Sequence, residues 1–268
     1  MEPELEATWN DGLAEALNIL QNDFRITKRN LFNGDENPPM IKGYDFVLGW
    51  GAWRSPADNF LHRIRILDKT TPTGLCIGGN AIPPFMENDH NILFYETEWY
   101  KPAISHHKNI KHAFGVNRNI HKQLKKADFE ASGGLHLWDY MSVGSFSLWK
   151  RHEKLLEKTG KRLAIGQIQK NNLSESLDII GNLIVGGVAI SDMVNPETLN
   201  VLYNLSKTVY IPADINGGGE RAVLEARSAG AKVEVDKTNF KLLGLLQGPI
   251  WGAQYYADQL KEGIQSCL

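Results

Sequence analysis

Apolar positions along the chain follow two periods in turn. Residues 5–20 set Leu13, Leu17 and Leu20, with Ala14 and Ala16, at helical spacing, and Asn10 or Asp11 caps an inner start, so a helix is predicted with no strand before it. Short apolar runs at residues 24–27, 44–48, 74–77 and 92–95 read as strands, with a loop rich in Asn, Asp and Pro at 30–39 and a helix at 56–67. Helices alternating with such strands predict a parallel, doubly wound sheet.

Residues 112–128, polar and basic around Gly115, read as a linker, after which the pattern restarts. Strands are predicted at 140–143, 162–166, 183–188, 208–212 and 232–235, and helices at 148–159, 174–180, 196–205 and 220–229, each connection right-handed by default. A last helix at about 251–265 either caps this lobe or returns to the first. The expected architecture is two doubly wound lobes with a cleft between them: residues 1–118, residues 119–250, and a C-terminal helix at 251–268.

With 268 residues, 42% of them hydrophobic and 22% charged, the chain is of ordinary globular composition and long enough for two cores. Its apolar stretches are too short and too rich in glycine to span a bilayer, and residues 1–7 do not resemble a secretory signal. Two cysteines, Cys76 and Cys267, fit a reducing compartment, so a cytoplasmic setting is expected. The net charge of -2 gives no global field for nucleic acid, and the basic residues between Lys108 and Lys126 read as a solvated face.

The sharpest local signal lies between Tyr210 and Ala226, where a strand runs into Gly217, Gly218 and Gly219 and then a helix. Three glycines allow close approach and positive φ, and the helix start offers unpaired N–H groups to an anion, above all a phosphate; a plain glycine turn is the alternative. Glu225, four residues after Arg221, is either half of a helix pair or a carboxylate for two ribose hydroxyls. A second loop, from Val143 to His152, ends the strand that opens the second lobe. Lys150 and Arg151 there either neutralise the same diphosphate or form a solvated pair at a helix start.

These segments together resemble the GT-B glycosyltransferases of the large retaining clan, group 1 or family 4-like, which includes many bacterial hexosyltransferases. The resemblance runs from about Trp9 to Val235 and is strongest in SVGSFSLWKRHEKLLE and in ETLNVLYNLSKTVYIPADINGGGERAVLEARSAGAKVEV. IKHAFGVN is similar to the interdomain segment, and YDFVLGWGAW to the N-lobe strand that opens on the cleft. The resemblance implies a GT-B fold with a shortened N-terminal lobe. Lys150 and Glu225 would be the catalytic groups, and Gly144, Ser145, Arg151, Asn216, Gly217, Gly218, Gly219, Glu220 and Arg221 would join them around the donor. Lys150 would hold the diphosphate, the N–H groups of Gly217 to Glu220 would cradle it, and Glu225 would bind the ribose. Three features depart from the family pattern: Ser145 stands where an Arg is usual, Gly217 where the first acid of a glutamate pair is usual, and the chain begins on the helix that follows the family's first strand. The last feature implies either a piece of a longer protein or a shortened enzyme.

The N-lobe is expected to supply the acceptor site from Gly49, Trp50, Gly51, Trp53, Gly79, Asn80 and Glu96. Trp50 and Trp53 are either a platform for a sugar ring or core residues, and at most one of Glu96 and Glu98 faces the cleft as a base. The eight histidines show no metal spacing, with His106 and His107 expected to point apart on a strand, so transfer without a metal or other cofactor is expected. The expectation is a transfer of sugar from a nucleotide-diphosphate donor, UDP or GDP, to a glycan or other hydroxyl acceptor, with retention. Its rivals are a nucleotide-sugar-binding domain that has lost turnover and a sugar transferase acting on DNA bases.

Overall fold

The structure is a computed structural model that describes residues 11–28, 43–51, 56–78, 90–131 and 135–268. They fall into two compact units, residues 116–251 and residues 12–115 joined by residues 252–268. The expected acceptor residues Gly79 and Asn80, the loop at 30–39 and the first turn of the 5–20 helix lie outside the described residues.

The first unit is a parallel sheet of β1 (Val47–Trp50), β2 (Thr73–Ile77), β3 (Ile92–Tyr95) and β4 (Ile110–His112), in that spatial order. The period of two sorts its side chains onto two faces. Leu75, Ile77, Leu93 and Tyr95 meet Leu61 and Ile64 of α2 (Pro56–Leu67) and Ile104 of α3 (Lys101–Ile104). Cys76, Ile92 and Phe94 meet Ala16 and Leu20 of α1 (Asp11–Leu20) and Tyr256, Ala257 and Leu260 of the last helix, which we label α9 (Ala253–Gln265). The C-terminal helix therefore belongs to the first unit's core. Gly263 sets its approach, since a Cβ there would stand 2.5 Å from the Phe94 ring. Residues 24–27, expected as a strand, lack strand pairing because Phe24 and Ile26 pack into this core directly after the helix. His106 and His107 lie on the turn after α3 rather than on a strand.

The second unit begins with α4 (Lys126–Ala131) and is built on β5 (Trp138–Val143), β6 (Arg162–Gly166), β7 (Ala189–Asp192), β8 (Ser206–Ile211) and β9 (Lys232–Val235). All its pairs are parallel, in the order β7-β6-β5-β8-β9. Winding runs outward from β5 to β7, then returns to the other side of β5, so β5 and β8 flank a topological switch point. Its helices are α5 (Leu173–Val185), α6 (Pro196–Asn204), α7 (Glu220–Ser228) and α8 (Phe240–Leu245). Phe146, Ala164, Ile179 and Leu183 form the core on one face. No described helix is long and apolar enough to cross a membrane.

Two expectations for this unit are corrected. Residues 183–188 are not a strand, because α5 continues through Gly181 and stops at Gly187, whose φ of 75° lets Val188 N–H reach the Leu183 carbonyl at 2.9 Å. Residues 148–159 are not an α-helix but two 3-10 turns, Leu148–Lys150 and His152–Glu157, broken at Arg151, whose φ is 54°. The Trp149 carbonyl, which an α-helix would use internally, instead accepts the N–H of Asp214 at 3.0 Å.

Candidate functional site at the switch point

The two loops singled out in the sequence meet at the carboxyl ends of β5 and β8. Trp149, in the first loop, gives its carbonyl to Asp214, and the same carbonyl lies where a Cβ on Gly217 would stand, 2.2 Å away, so only glycine fits there. Gly218 and Gly219 adopt φ of 64° and 110°, and Gly219 caps α7, pressed between Ile211 and Leu242. The expected cradle is narrower than the sequence suggested. Gly217 N–H already donates to the Asp214 carbonyl at 3.0 Å, and Asn216 N–H to the Asp214 carboxylate at 2.8 Å. The cradle is therefore left to Gly218, Gly219 and the first turn of α7, where N–H groups have no intrahelical acceptor.

The Lys150 side chain folds back over Gly144, whose Cβ position would lie 3.0 to 3.4 Å from its Cδ, Cε and Cγ. Burial pulls its ammonium down to about 8, opposed by the Glu220 carboxylate. Beneath the loop His152 is fully buried. Its Nε2–H donates to the Gly144 carbonyl at 3.3 Å, which leaves Nδ1 to accept from the Ser142 hydroxyl at 2.9 Å. Burial, then the neighbouring Lys150, lowers its pKa to about 4, so the ring is neutral at pH 7. Ser145 sits on the same loop with its hydroxyl 3.4 Å from that of Ser147.

Arg151 does not join Lys150. The left-handed turn sends it to Asp236, 3.3 Å from Nη1 to Oδ2, where Lys154 also binds. Burial raises the Asp236 pKa, but the Lys154 and Thr238 hydrogen bonds outweigh it and hold the carboxyl below the usual range.

Glu220 and Glu225 are both drawn inward. Glu220 pairs with Lys241 at 2.9 Å, both side chains fully or almost fully buried. Glu225 accepts from the Tyr203 hydroxyl at 3.0 Å and from Arg221 Nε at 3.1 Å, with His121 Nε2 at 3.7 Å. Arg221 and Glu225 are thus the helix pair that the spacing allowed. Sequence reasoning missed Lys241, Tyr203, His121, His152 and Asn239. The last anchors the glycine loop by donating to the carbonyls of Ala213 and Asp214 at 2.9 and 2.7 Å. One signal was there for Lys241, a single charge inside the apolar run from Phe240 to Leu246.

In the first unit, Trp50 ends β1 with 43% of its surface exposed, so it is not a core residue, while Gly49 and Gly51 are buried. Glu96 is buried after β3 with its carboxylate against Gly78, and Glu98 is exposed and paired with Lys101 at 2.7 Å. His112 Nε2 donates to the Glu96 carbonyl at 3.1 Å. Trp53, Gly79 and Asn80 lie outside the described residues. Among the described residues, no three His, Cys, Asp or Glu side chains come together as a metal site requires.

Two parallel α/β units, one wound about a switch point, define a pair of Rossmann-like units in one chain. By sequence, no protein-family model and no curated protein matches the chain. By structure, it is similar to sucrose-phosphate synthase from Thermosynechococcus elongatus, with a TM-score of 0.57 and 14% identity over 84% of this chain and 65% of that one. It is also similar to HepE of Anabaena in complex with UDP and glucose, with a TM-score of 0.58 and 13% identity over 84% of this chain and 68% of that one. A glycosyltransferase from Rickettsia africae matches 95% of this chain and 71% of its own at a TM-score of 0.52 and 12% identity. These likenesses show the fold, which is GT-B, and the chain spans about two thirds of the synthase chain.

Proposed function

We propose that the chain is a glycosyltransferase whose second unit binds the diphosphate of a nucleotide-sugar donor at the β5/β8 switch point. The observation that carries this reading is the convergence on the Trp149 carbonyl, which ties the loop that carries Lys150 to the glycine loop that opens α7. An ammonium and a helix N-terminus on two such neighbouring loops favour a dianionic group. HepE is described in complex with UDP-glucose, which supports a uridine donor, with GDP the next choice.

Chemistry follows from where charge develops. As the bond from the anomeric carbon to the diphosphate breaks, negative charge gathers on the leaving oxygen, and Lys150 with the N–H groups of Gly218 and Gly219 stabilises it. The acceptor oxygen forms the new bond to the anomeric carbon as the bond to the diphosphate breaks, and its proton passes to the departing diphosphate oxygen; retention is what the family resemblance implies. Glu225 takes the ribose hydroxyls by exchanging a partner. Arg221, whose side chain is 34% exposed, can leave, whereas Tyr203 is fully buried. Trp50 and Glu96 are the described candidates for a glycan or other hydroxyl acceptor. A second reading, a nucleotide-sugar-binding domain without turnover, is favoured by the partners already held by Glu225 and by the missing side chain at Gly217.

Calorimetric titration with UDP-, GDP-, ADP- and dTDP-sugars, followed by a nucleotide-release assay, separates these readings. Binding lost in Lys150→Met, with release by wild type, supports the transferase. Binding without release across an acceptor panel leaves the binding domain, and no binding by wild type sinks both.

A further inference from the structure

Lys241 has no part in the donor contacts just described, yet it is a fully buried cation beside them. It lies on α8 between Asn239, which holds the carbonyls before the glycine loop, and Leu242, which packs on Gly219. Its partner, Glu220, is the first residue of α7. A carboxylate at that position is drawn to the positive end of the helix, the place a diphosphate would occupy, so an unrestrained Glu220 would act as an internal competitor.

We propose that Lys241 is a positioning residue for the donor: by holding the Glu220 carboxylate in a buried ion pair, it keeps the start of α7 and Lys150 open to an incoming diphosphate. The inference rests on the donor-site reading above. The charged and titratable groups that bear on Lys150 are Glu220 and Arg221 from α7, Lys241 from α8 and His152 from its own loop. Glu220 favours the Lys150 ammonium, while Arg221 and Lys241 oppose it. Without Lys241, the buried Glu220 carboxylate is left to act on Lys150, whose ammonium it already favours, and withdraws it from the donor.

The test compares Lys241→Met, Glu220→Gln and the double variant with wild type. Calorimetry with UDP, or with GDP if UDP does not bind, is run across pH, and thermal denaturation establishes that each variant is folded. Lys241→Met is expected to bind about tenfold more weakly, because like charge faces the diphosphate. The double variant, which removes both charges, is expected to return to within about threefold of wild type, as coupled neighbours do in such cycles. The alkaline fall in affinity moves up in pH in Lys241→Met, where Glu220 still favours the Lys150 ammonium and the opposing Lys241 charge is gone, and down in Glu220→Gln. A purely packing role for Lys241 would move neither limb.

Wild-type affinity in folded Lys241→Met, or a double variant as weak as the single, overturns the proposal. If Lys241→Met does not fold, the Glu220→Gln profile decides, since an unmoved alkaline limb rejects the pair as a control on Lys150. Failure of wild type to bind either nucleotide rejects the donor site itself, an outcome distinct from any of these.

Discussion

The Gly217 Cα faces the Trp149 carbonyl oxygen so closely that a Cβ would stand 2.2 Å from it. The neighbour is backbone, already tied to Asp214, and has no rotamer by which to give way. Gly217→Ala is therefore expected to cost about 1–3 kcal/mol by overpacking and to part the two loops. Gly181→Ala, inside α5 with nothing within 4 Å, is expected to gain about 0.5–1 kcal/mol. Urea denaturation of the two variants checks the contrast, and similar destabilisation by both would refute it.

Donor affinity is expected to have an alkaline limit. Burial lowers Lys150 to about 8, so it is a cation below that pH and loses its charge above it. A bound diphosphate favours the cation, so binding takes up a proton above about pH 8 and affinity falls as pH rises. Titrations between about pH 7 and about pH 9.5 in wild type and Lys150→Met measure this, and equal slopes in the two would exclude Lys150 as the source.

Arg151 offers a different kind of check. Its left-handed backbone costs about 1–2 kcal/mol for a residue with a Cβ and nothing for glycine, while its partly exposed pair with Asp236 contributes about 0.5 kcal/mol. Arg151→Gly should leave the fold as stable or slightly more stable, with donor affinity unchanged. A large loss of affinity in calorimetry would return Arg151 to the donor site.

His152 makes stability depend on acid. An unfolded histidine takes up its proton near pH 6.5, whereas the buried ring resists until about 4. Between those values the unfolded state holds more protons, so stability falls as pH falls through that window, by an amount on the order of 3 kcal/mol. Denaturation midpoints across the window should flatten in His152→Gln, and an unchanged slope would assign the effect elsewhere.

Leu260 on α9 is fully buried against the first sheet. Leu260→Ala is expected to cost about 2–5 kcal/mol, confined to the first unit. Hydrogen exchange reads this directly: protection should fall in β2 and β3 and persist in β8.

Much of the fold was legible because periodicity reports burial. Strands at residues 92–95, 162–166 and 232–235 were read with the bounds the structure gives. The errors arose where backbone conformation, not hydrophobicity, ended an element. The helix was read as ending at residue 180, but Ile179 and Leu183 keep the buried face of α5 continuous past Gly181, and the left-handed Gly187 is the true end. Arg151 carried no sign of its left-handed turn, since that conformation is favoured by glycine and not by arginine. Of the site, Lys150 and the triple glycine were visible as residue types in order. Of the partners of Glu225, Arg221 was visible by its spacing, but Tyr203 and His121 were not, because their sequence separation hides their proximity.

The return of α9 to the first unit reverses the order of assembly on the ribosome. Residues 116–251 emerge in one stretch, while the sheet face of Cys76, Ile92 and Phe94 waits for residues 253–265, which follow them. Of the two units, the one whose sheet is encoded earlier is thus finished later, and until α9 emerges its open face is the nascent chain's exposure to chaperones and to aggregation.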